Sequence, residues 1–255
     1  MTEVVRLEDI SKFYHTKSGE TQALKDINFT VAENEFVSII GPSGCGKSTI
    51  LSIIAGLEKP SGGTVYINGE ATENKIHAHI GYMLQQDHLF PWLTVRQNAL
   101  LGLDIRHEKT KEKEKYVDAL LQQYELENFA QALPSQLSGG MRQRAAIIRT
   151  LAVNPSVLLL DEPFSALDYQ TRLNVSDDIH GIIKSRKKTA ILVTHDISEA
   201  ISMSDRIIVL SKRPARVKNV YDIILSGNQN PISRRKAPEF PVYFQKLWEE
   251  LNNDE

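Results

Sequence analysis

Residues 41–49 read GPSGCGKST, with glycines at Gly41, Gly44 and Gly46 followed by Lys47, Ser48 and Thr49. The spacing G-x-x-x-x-G-K-S suits one task. Glycines allow successive backbone N–H groups to converge on phosphate oxygens, and a helix N-terminus behind them adds partial positive charge. A lysine at position 47 reaches the β and γ phosphates, and a hydroxyl at Ser48 completes the coordination of Mg²⁺. Pro42, Ser43 and Cys45 fill the loop between the glycines. Cys45 is the only cysteine; it reads as a small loop residue, with a thiol acidified by the helix N-terminus as the alternative. The same letters would also spell a surface turn with a solvated lysine, so the flanking elements decide. Phe36 to Ile40 is an apolar run suited to a buried parallel strand, and Ile50, Leu51, Ile53 and Ile54 follow at helical spacing up to Gly56. Strand, glycine-rich turn and helix together predict a nucleoside triphosphate site.

A second set of polar residues stands directly after apolar runs. Val157 to Leu160 ends in Asp161-Glu162, and Thr189 to Val193 ends in Thr194-His195-Asp196. Further short strands are expected at Val4 to Ile10 (as an edge strand), Ile27 to Val31, Thr64 to Ile67, Ile80 to Leu84 and Ile207 to Leu210, with a turn around Gly19 and a hairpin at Asn68-Gly69. Asp168 caps a helix reaching about Ser185, and Asp196 with Glu199 opens another. Strands alternating with helices predict a doubly wound, mainly parallel α/β sheet with ligands at the C-terminal strand ends. The phosphate loop, Asp161-Glu162 and His195 then share one sheet edge.

From Asp87 to Pro155 the texture is helical. Leu89-Phe90-Pro91-Trp92 is an apolar loop, Val95 to Leu103 reads as helix, and His107 to Lys115 alternates charges as a solvated face leading into Tyr116, Leu120 and Tyr124. LSGGMRQR begins at Leu137, with Ser138 as a natural helix cap. Near the end, Arg234-Arg235-Lys236 reads as a solvated basic run. Phe240, Tyr243, Phe244, Leu247, Trp248 and Leu251 trace an amphipathic helix, packed on its own domain or, alternatively, facing a partner. Tyr14 is either a core aromatic or a ring left to stack on a base.

The chain has 255 residues, 41% hydrophobic and 24% charged, with a formal net charge of −2. This is an ordinary globular composition with no global bias toward nucleic acid or anionic membrane. No apolar run approaches the roughly 20 residues of a membrane span, no signal layout opens the chain, and one cysteine fits a reducing cytoplasm.

With LSGGMRQR between them, the phosphate loop and Asp161-Glu162 resemble the ATP-binding cassette (ABC) ATPases, in the family's order and over essentially the whole chain. The resemblance covers Tyr14 as a base-stacking aromatic, Walker A at Gly41 to Thr49 and a Q-loop at Gln85. It continues through the signature at Leu137 to Gln143, Walker B at Val157 to Glu162, a D-loop at Ser165 to Asp168 and a switch histidine at His195. It implies a P-loop NTPase (RecA-like) α/β core with an N-terminal antiparallel β subdomain and an inserted α-helical subdomain. The whole chain, 1–255, would be one such domain, with core and β subdomain near 1–86 and 156–230, the helical insertion near 87–155, and a tail helix near 238–252. ATP and Mg²⁺ are the implied cofactors, with the metal held by Ser48, Gln85 and Asp161. Glu162 would polarise the attacking water, with His195, Gln85 and Lys47 as the other catalytic groups. Ser138, Gly139 and Gly140 would bind the γ-phosphate of a second copy in a head-to-tail ATP sandwich.

LFPW, Met141 and Arg213-Pro214 further resemble the nitrate/sulfonate/taurine importer group, although Ala215 stands where that group often has glycine. This implies a peripheral subunit on the cytoplasmic side of the cell membrane. Its partners would be a separate integral permease docking near Gln85 to Trp92 and, indirectly, a periplasmic or extracellular solute-binding protein, with no nucleic acid. LFPW has a buried packing loop as its alternative reading. The chain ends soon after the core, so the regulatory domain of sugar-importer cassettes is expected to be absent. A soluble non-transport cassette, such as a cofactor-assembly factor, is the competing class. A coiled-coil chromosome-maintenance type does not fit the roughly 90 residues between Lys47 and Ser138.

Overall fold

The computed structural model describes residues 2–16, 19–72, 77 and 79–252. Its elements run β1 (Glu3–Thr16), β2 (Gly19–Ala32), β3 (Phe36–Ile40), α1 (Lys47–Ile54), β4 (Gly62–Ile67), β5 (Glu70–Ala71) and β6 (Ile80–Met83). Helices α2 (Val95–Ile105), α3 (Lys111–Gln123) and α4 (Gly139–Ala152) follow. Then come β7 (Val157–Asp161), α5 (Tyr169–Ser185), β8 (Thr189–Val193), α6 (Ile197–Met203), β9 (Arg206–Leu210), β10 (Val217–Asp222), α7 (Pro231–Arg234) and α8 (Phe240–Asn252).

Two sheets result. One is antiparallel with order β2-β1-β4-β5, and the other has order β10-β9-β3-β8-β7-β6. In the second, β9, β3, β8, β7 and β6 run parallel and β10 closes one edge antiparallel. Every residue of β3, β7 and β8 is buried, which is why these segments are continuous apolar runs rather than alternating ones. One face of the parallel sheet packs with α1 and the antiparallel sheet, the other with α2 to α5.

The expected elements form, and β10 and α7 are added to them where no strand or helix was expected. β1 lies between β2 and β4 and is not an edge. The turn expected around Gly19 falls partly on residues 17 and 18, which lie outside the described residues; Gly19 itself pairs with Thr16 as β2 begins. Polar residues on the solvated side masked the full lengths of both strands. At the tail, α8 lies on the molecule's own surface, with Leu247 fully buried and Phe240, Tyr243, Phe244 and Leu251 packed around it. The basic run is not uniformly solvated. Arg234 is buried and donates to the carbonyls of Ile201 (3.2 Å) and Ser204 (2.6 Å). It thereby satisfies the C-terminal carbonyls of α6, which favour a cation.

Candidate nucleotide and magnesium site

Parallel strands that share a direction release their next residues at one edge, and here the strand order arranges the chemistry. Reading across the sheet, β9 leads to Arg213, β3 to the phosphate loop, β8 to His195, β7 to Glu162 and β6 to Gln85. The register sets Asp161 opposite Val193, so the ends of β7 and β8 are level. Between these ends lies a cavity of about 640 Å³ lined by Ser43, Gly44, Gly46, Lys47, Ser48, Thr49, Gln85, Glu162, His195 and Arg213.

The loop geometry suits an anion. Gly46 has φ +123, and a Cβ there would come within 2.7 Å of Leu24 Cδ2, so only glycine fits. No side chain caps α1, which leaves its first N–H groups directed at the cavity. Lys47 is buried and donates to the carbonyls of Gly41 (2.8 Å) and Pro42 (2.9 Å), two of its three possible donations. Arg213 donates to the Gly44 carbonyl at 2.5 Å. Two cations therefore brace the loop, Lys47 at its start and Arg213 at Gly44.

Asp161 receives the Ser48 hydroxyl on Oδ1 at 3.0 Å and the Tyr82 hydroxyl on Oδ2 at 3.3 Å. Burial pushes the Asp161 carboxyl up, against the lowering effect of those two hydrogen bonds, and the neighbouring Glu162 charge pushes the same way as burial. A hydroxyl beside a partly desolvated carboxylate is a hard-oxygen donor set, which fits Mg²⁺. Burial first, and then the Asp161 charge, hold the Tyr82 phenol up at about 12 despite a hydrogen bond from Ser52, so it remains a proton donor.

Glu162 has φ +45, an uncommon conformation for a non-glycine residue, held by its N–H donating to Val193 O at 2.8 Å. Its carboxylate Oε2 lies 3.1 Å from His195 Nδ1 and 3.3 Å from Gln85 Nε2. A carboxylate, an imidazole and an amide thus converge at the cavity wall, which is the geometry for holding and deprotonating a water.

Other expected site residues lie elsewhere. Pro42 and Cys45 are in the loop but do not line the cavity, and Cys45 is buried. Burial pushes its thiol up, against the lowering effect of the Lys47 charge, which favours the reading as a small loop residue over the alternative of an acidified thiol. The hydroxyl of Tyr14 contacts Thr49 (3.3 Å) and donates to Glu58 (2.9 Å), and its ring packs partly against the core beside the cavity. Ser138 is exposed and caps α4 by accepting from Met141 N at 3.3 Å; neither it nor Gly139 nor Gly140 reaches the cavity.

Arg213, which lines the cavity, and Tyr82, which donates to Asp161, are functional residues beyond those expected from sequence. Arg213 was signalled in the sequence only by a subgroup resemblance. The one sequence signal for Tyr82 is its place in a short strand; that this strand pairs with the Asp161 strand emerges only in the fold.

Comparisons with known proteins agree with this geometry. The family model "ABC transporter" matches residues 24–165. An uncharacterised ABC transporter ATP-binding protein of Bacillus subtilis, YtlC, is 46% identical over 250 residues, covering 98% of this chain and 96% of that protein. The aliphatic sulfonates import ATP-binding protein SsuB of Bacillus thuringiensis is 41% identical over 230 residues, 90% of each chain. Among solved structures, the dimeric bacterial ABC transporter cassette MJ0796 matches with a TM-score of 0.77 at 37% identity, covering 86% of this chain and 99% of that one. A post-hydrolysis state of the same cassette, bound to ADP and Pi, matches with a TM-score of 0.76 at 38% identity and the same coverage. Glycine-rich loop, Ser48–Asp161 pair and Glu162–His195 pair sit at the ends of adjacent parallel strands, and sequence and fold agree on what they serve: the chain belongs to the ABC transporter family as an ATP-binding, ATP-hydrolysing subunit that works with Mg²⁺.

Proposed function

We propose that this chain powers an ABC importer, with two copies closing head to tail over two ATP molecules and driving uptake of a small anion through a separate permease. The observation that carries the dimer is a separation. Lys47, Ser48, Gln85, Glu162 and His195 share an open cavity, whereas the exposed N-terminus of α4, led by Ser138, lies outside it. A second copy would bring that terminus to the γ-phosphate, adding backbone N–H groups and a helix dipole where negative charge concentrates.

In that arrangement the loop N–H groups and Lys47 bind the phosphates, and Ser48, Asp161 and Gln85 hold Mg²⁺. The metal supplies neutralisation of the charge on the phosphate oxygens. Glu162 accepts a proton from the attacking water, while His195 and Gln85 fix the direction of its carboxylate. Tyr14 would meet the base from the edge of the cavity.

The importer reading rests on the loop after Gln85. Leu89 is buried, but Phe90 and Trp92 are 38% and 70% exposed, with ring centroids 5.2 Å apart. Asn98, fully buried, accepts from Phe90 N, and its two amide N–H groups are shared among the carbonyls of Phe90, Leu93 and Thr94, so the loop is tied to the start of α2. Arg149 donates to the carbonyls of Asp87 and His88, and Arg142 pairs with Asp87, which ties this surface to α4. A permease segment seated on Phe90 and Trp92 would hold the chain at the cytoplasmic membrane face and feel movements of α4. Among the described residues no helix is long and apolar enough to cross a membrane. The similarity to a sulfonate-importing relative favours a sulfonate-type anion, delivered by a separate binding protein. Purification of the tagged chain from gently solubilised membranes tests this. A polytopic partner at matching stoichiometry is expected, and recovery with only soluble proteins would overturn the importer reading.

A further inference from the structure

We propose that Tyr82 is a positioning residue for magnesium: its phenol fixes the orientation of the Asp161 carboxylate and so sets the protein's affinity for Mg²⁺. Tyr82 pairs with Leu159 across the parallel β6–β7 ladder. Asp161 lies two residues further along β7, so Tyr82, Leu159 and Asp161 share one face of the sheet. On that face lies α1, whose Ser48 and Ser52 are one helical turn apart on a common side.

The four side chains form a hydrogen-bonded chain with Asp161 between Ser48 and Tyr82. Ser48 donates to Asp161 Oδ1 at 3.0 Å, Tyr82 donates to Asp161 Oδ2 at 3.3 Å, and the Ser52 side chain hydrogen-bonds the same phenol. A carboxylate with one donor on each oxygen cannot rotate freely about its terminal torsion. Of the two donors, Ser48 is itself a metal holder, so Tyr82 is the one that metal binding does not engage. Groups that orient a ligand in this way typically alter metal affinity about 10–100-fold when removed.

This rests on Ser48 and Asp161 as the metal holders, and the test separates the two claims. Binding of a non-hydrolysable ATP analogue to the full chain is followed against MgCl₂ concentration, and again in EDTA, for the wild type, Tyr82→Phe and Asp161→Asn. Tyr82→Phe keeps the ring and removes only the hydroxyl. It is expected to raise the Mg²⁺ concentration at half-saturation about tenfold, with affinity in EDTA unchanged within about twofold. Asp161→Asn is expected to remove most of the Mg²⁺-dependent gain. If Asp161→Asn behaves so and Tyr82→Phe superposes on wild type, the Tyr82 inference is overturned while the site stands. If neither variant changes the Mg²⁺ dependence, the site reading falls with it. Equal weakening in EDTA and Mg²⁺ for Tyr82→Phe would show a packing effect and overturn the inference. Should Tyr82→Phe fail to fold, Ser52→Ala decides: a shift of about two- to threefold in the same direction is expected, and no shift overturns the inference.

Discussion

Glu162 combines two demands that pull on one residue: a left-handed backbone at φ +45 and a carboxylate held near His195 and Gln85. A non-glycine residue in that region costs on the order of 1 kcal/mol or more, tolerated where the side chain has a task. Glu162→Gln keeps shape and contacts but cannot accept a proton. Turnover is expected to fall at least about a hundredfold with ATP still bound, measured by phosphate release beside equilibrium nucleotide binding. Arg213→Ala should leave Glu162 and His195 in place but loosen the loop at Gly44, raising the KM for ATP several-fold with a smaller change in kcat. Lys47 and Ser48 were legible from a glycine-rich turn set between an apolar strand and a helix, and Glu162 and His195 were legible as strand-end residues whose roles only the family resemblance supplied. Arg213 and Tyr82 were not, since their roles depend on which strands become neighbours, and the order β9-β3-β8-β7-β6 is not written in any local pattern.

At the scale of elements, close approach governs the signature helix. A Cβ at Gly140 would come within 2.6 Å of Thr171 Cγ2 on α5, so Gly140→Ala must displace either the Thr171 side chain or the start of α4. The expected outcome is a loss of about 1–3 kcal/mol in urea unfolding, with ATP-driven self-association weakened further than stability alone explains. Asn98 is fully buried and holds the loop after Gln85 through its carbonyl, which accepts from Phe90 N, and its amide, which reaches the carbonyls of Phe90 and Leu93. Asn98→Ala would remove the side-chain partner of the Phe90 N–H and the Leu93 carbonyl at a cost of about 1–3 kcal/mol, while the Phe90 and Thr94 carbonyls keep the Leu93 and Asn98 backbone N–H groups. The readout is weaker recovery of a membrane partner at a temperature where the fold persists. Helices opened by Ser138, Asp168 and Asp196 were legible from their caps. The burial of Arg234 was not, because a basic triplet looks solvated until the carbonyl ends of α6 are placed beside it.

Across the whole molecule, two buried titratable groups oppose each other. Burial pushes Glu199 up to about 7, with the Asp196 charge adding to it. Burial, then the charges of Lys184 and Arg234, holds His180 down at about 4. For Glu199 the folded state binds its proton more tightly than the unfolded chain. Its stabilising contribution is therefore complete below the ordinary glutamate range and is lost as pH rises through about 7. His180 behaves oppositely: its contribution is present above the ordinary histidine value and is lost as pH falls toward about 4. Glu199→Gln should flatten the alkaline side of a stability–pH profile measured by thermal unfolding between pH 5 and 8. The variant should be more stable than wild type at pH 8.

The site divided between two copies is the central claim, and sedimentation of Glu162→Gln with ATP and Mg²⁺ tests it most directly. A dimer carrying two nucleotides is expected, and adding Ser138→Arg to the same chain should return it to a monomer that still binds ATP. A nucleotide-saturated monomer before that second change, or a dimer indifferent to it, would contradict the account.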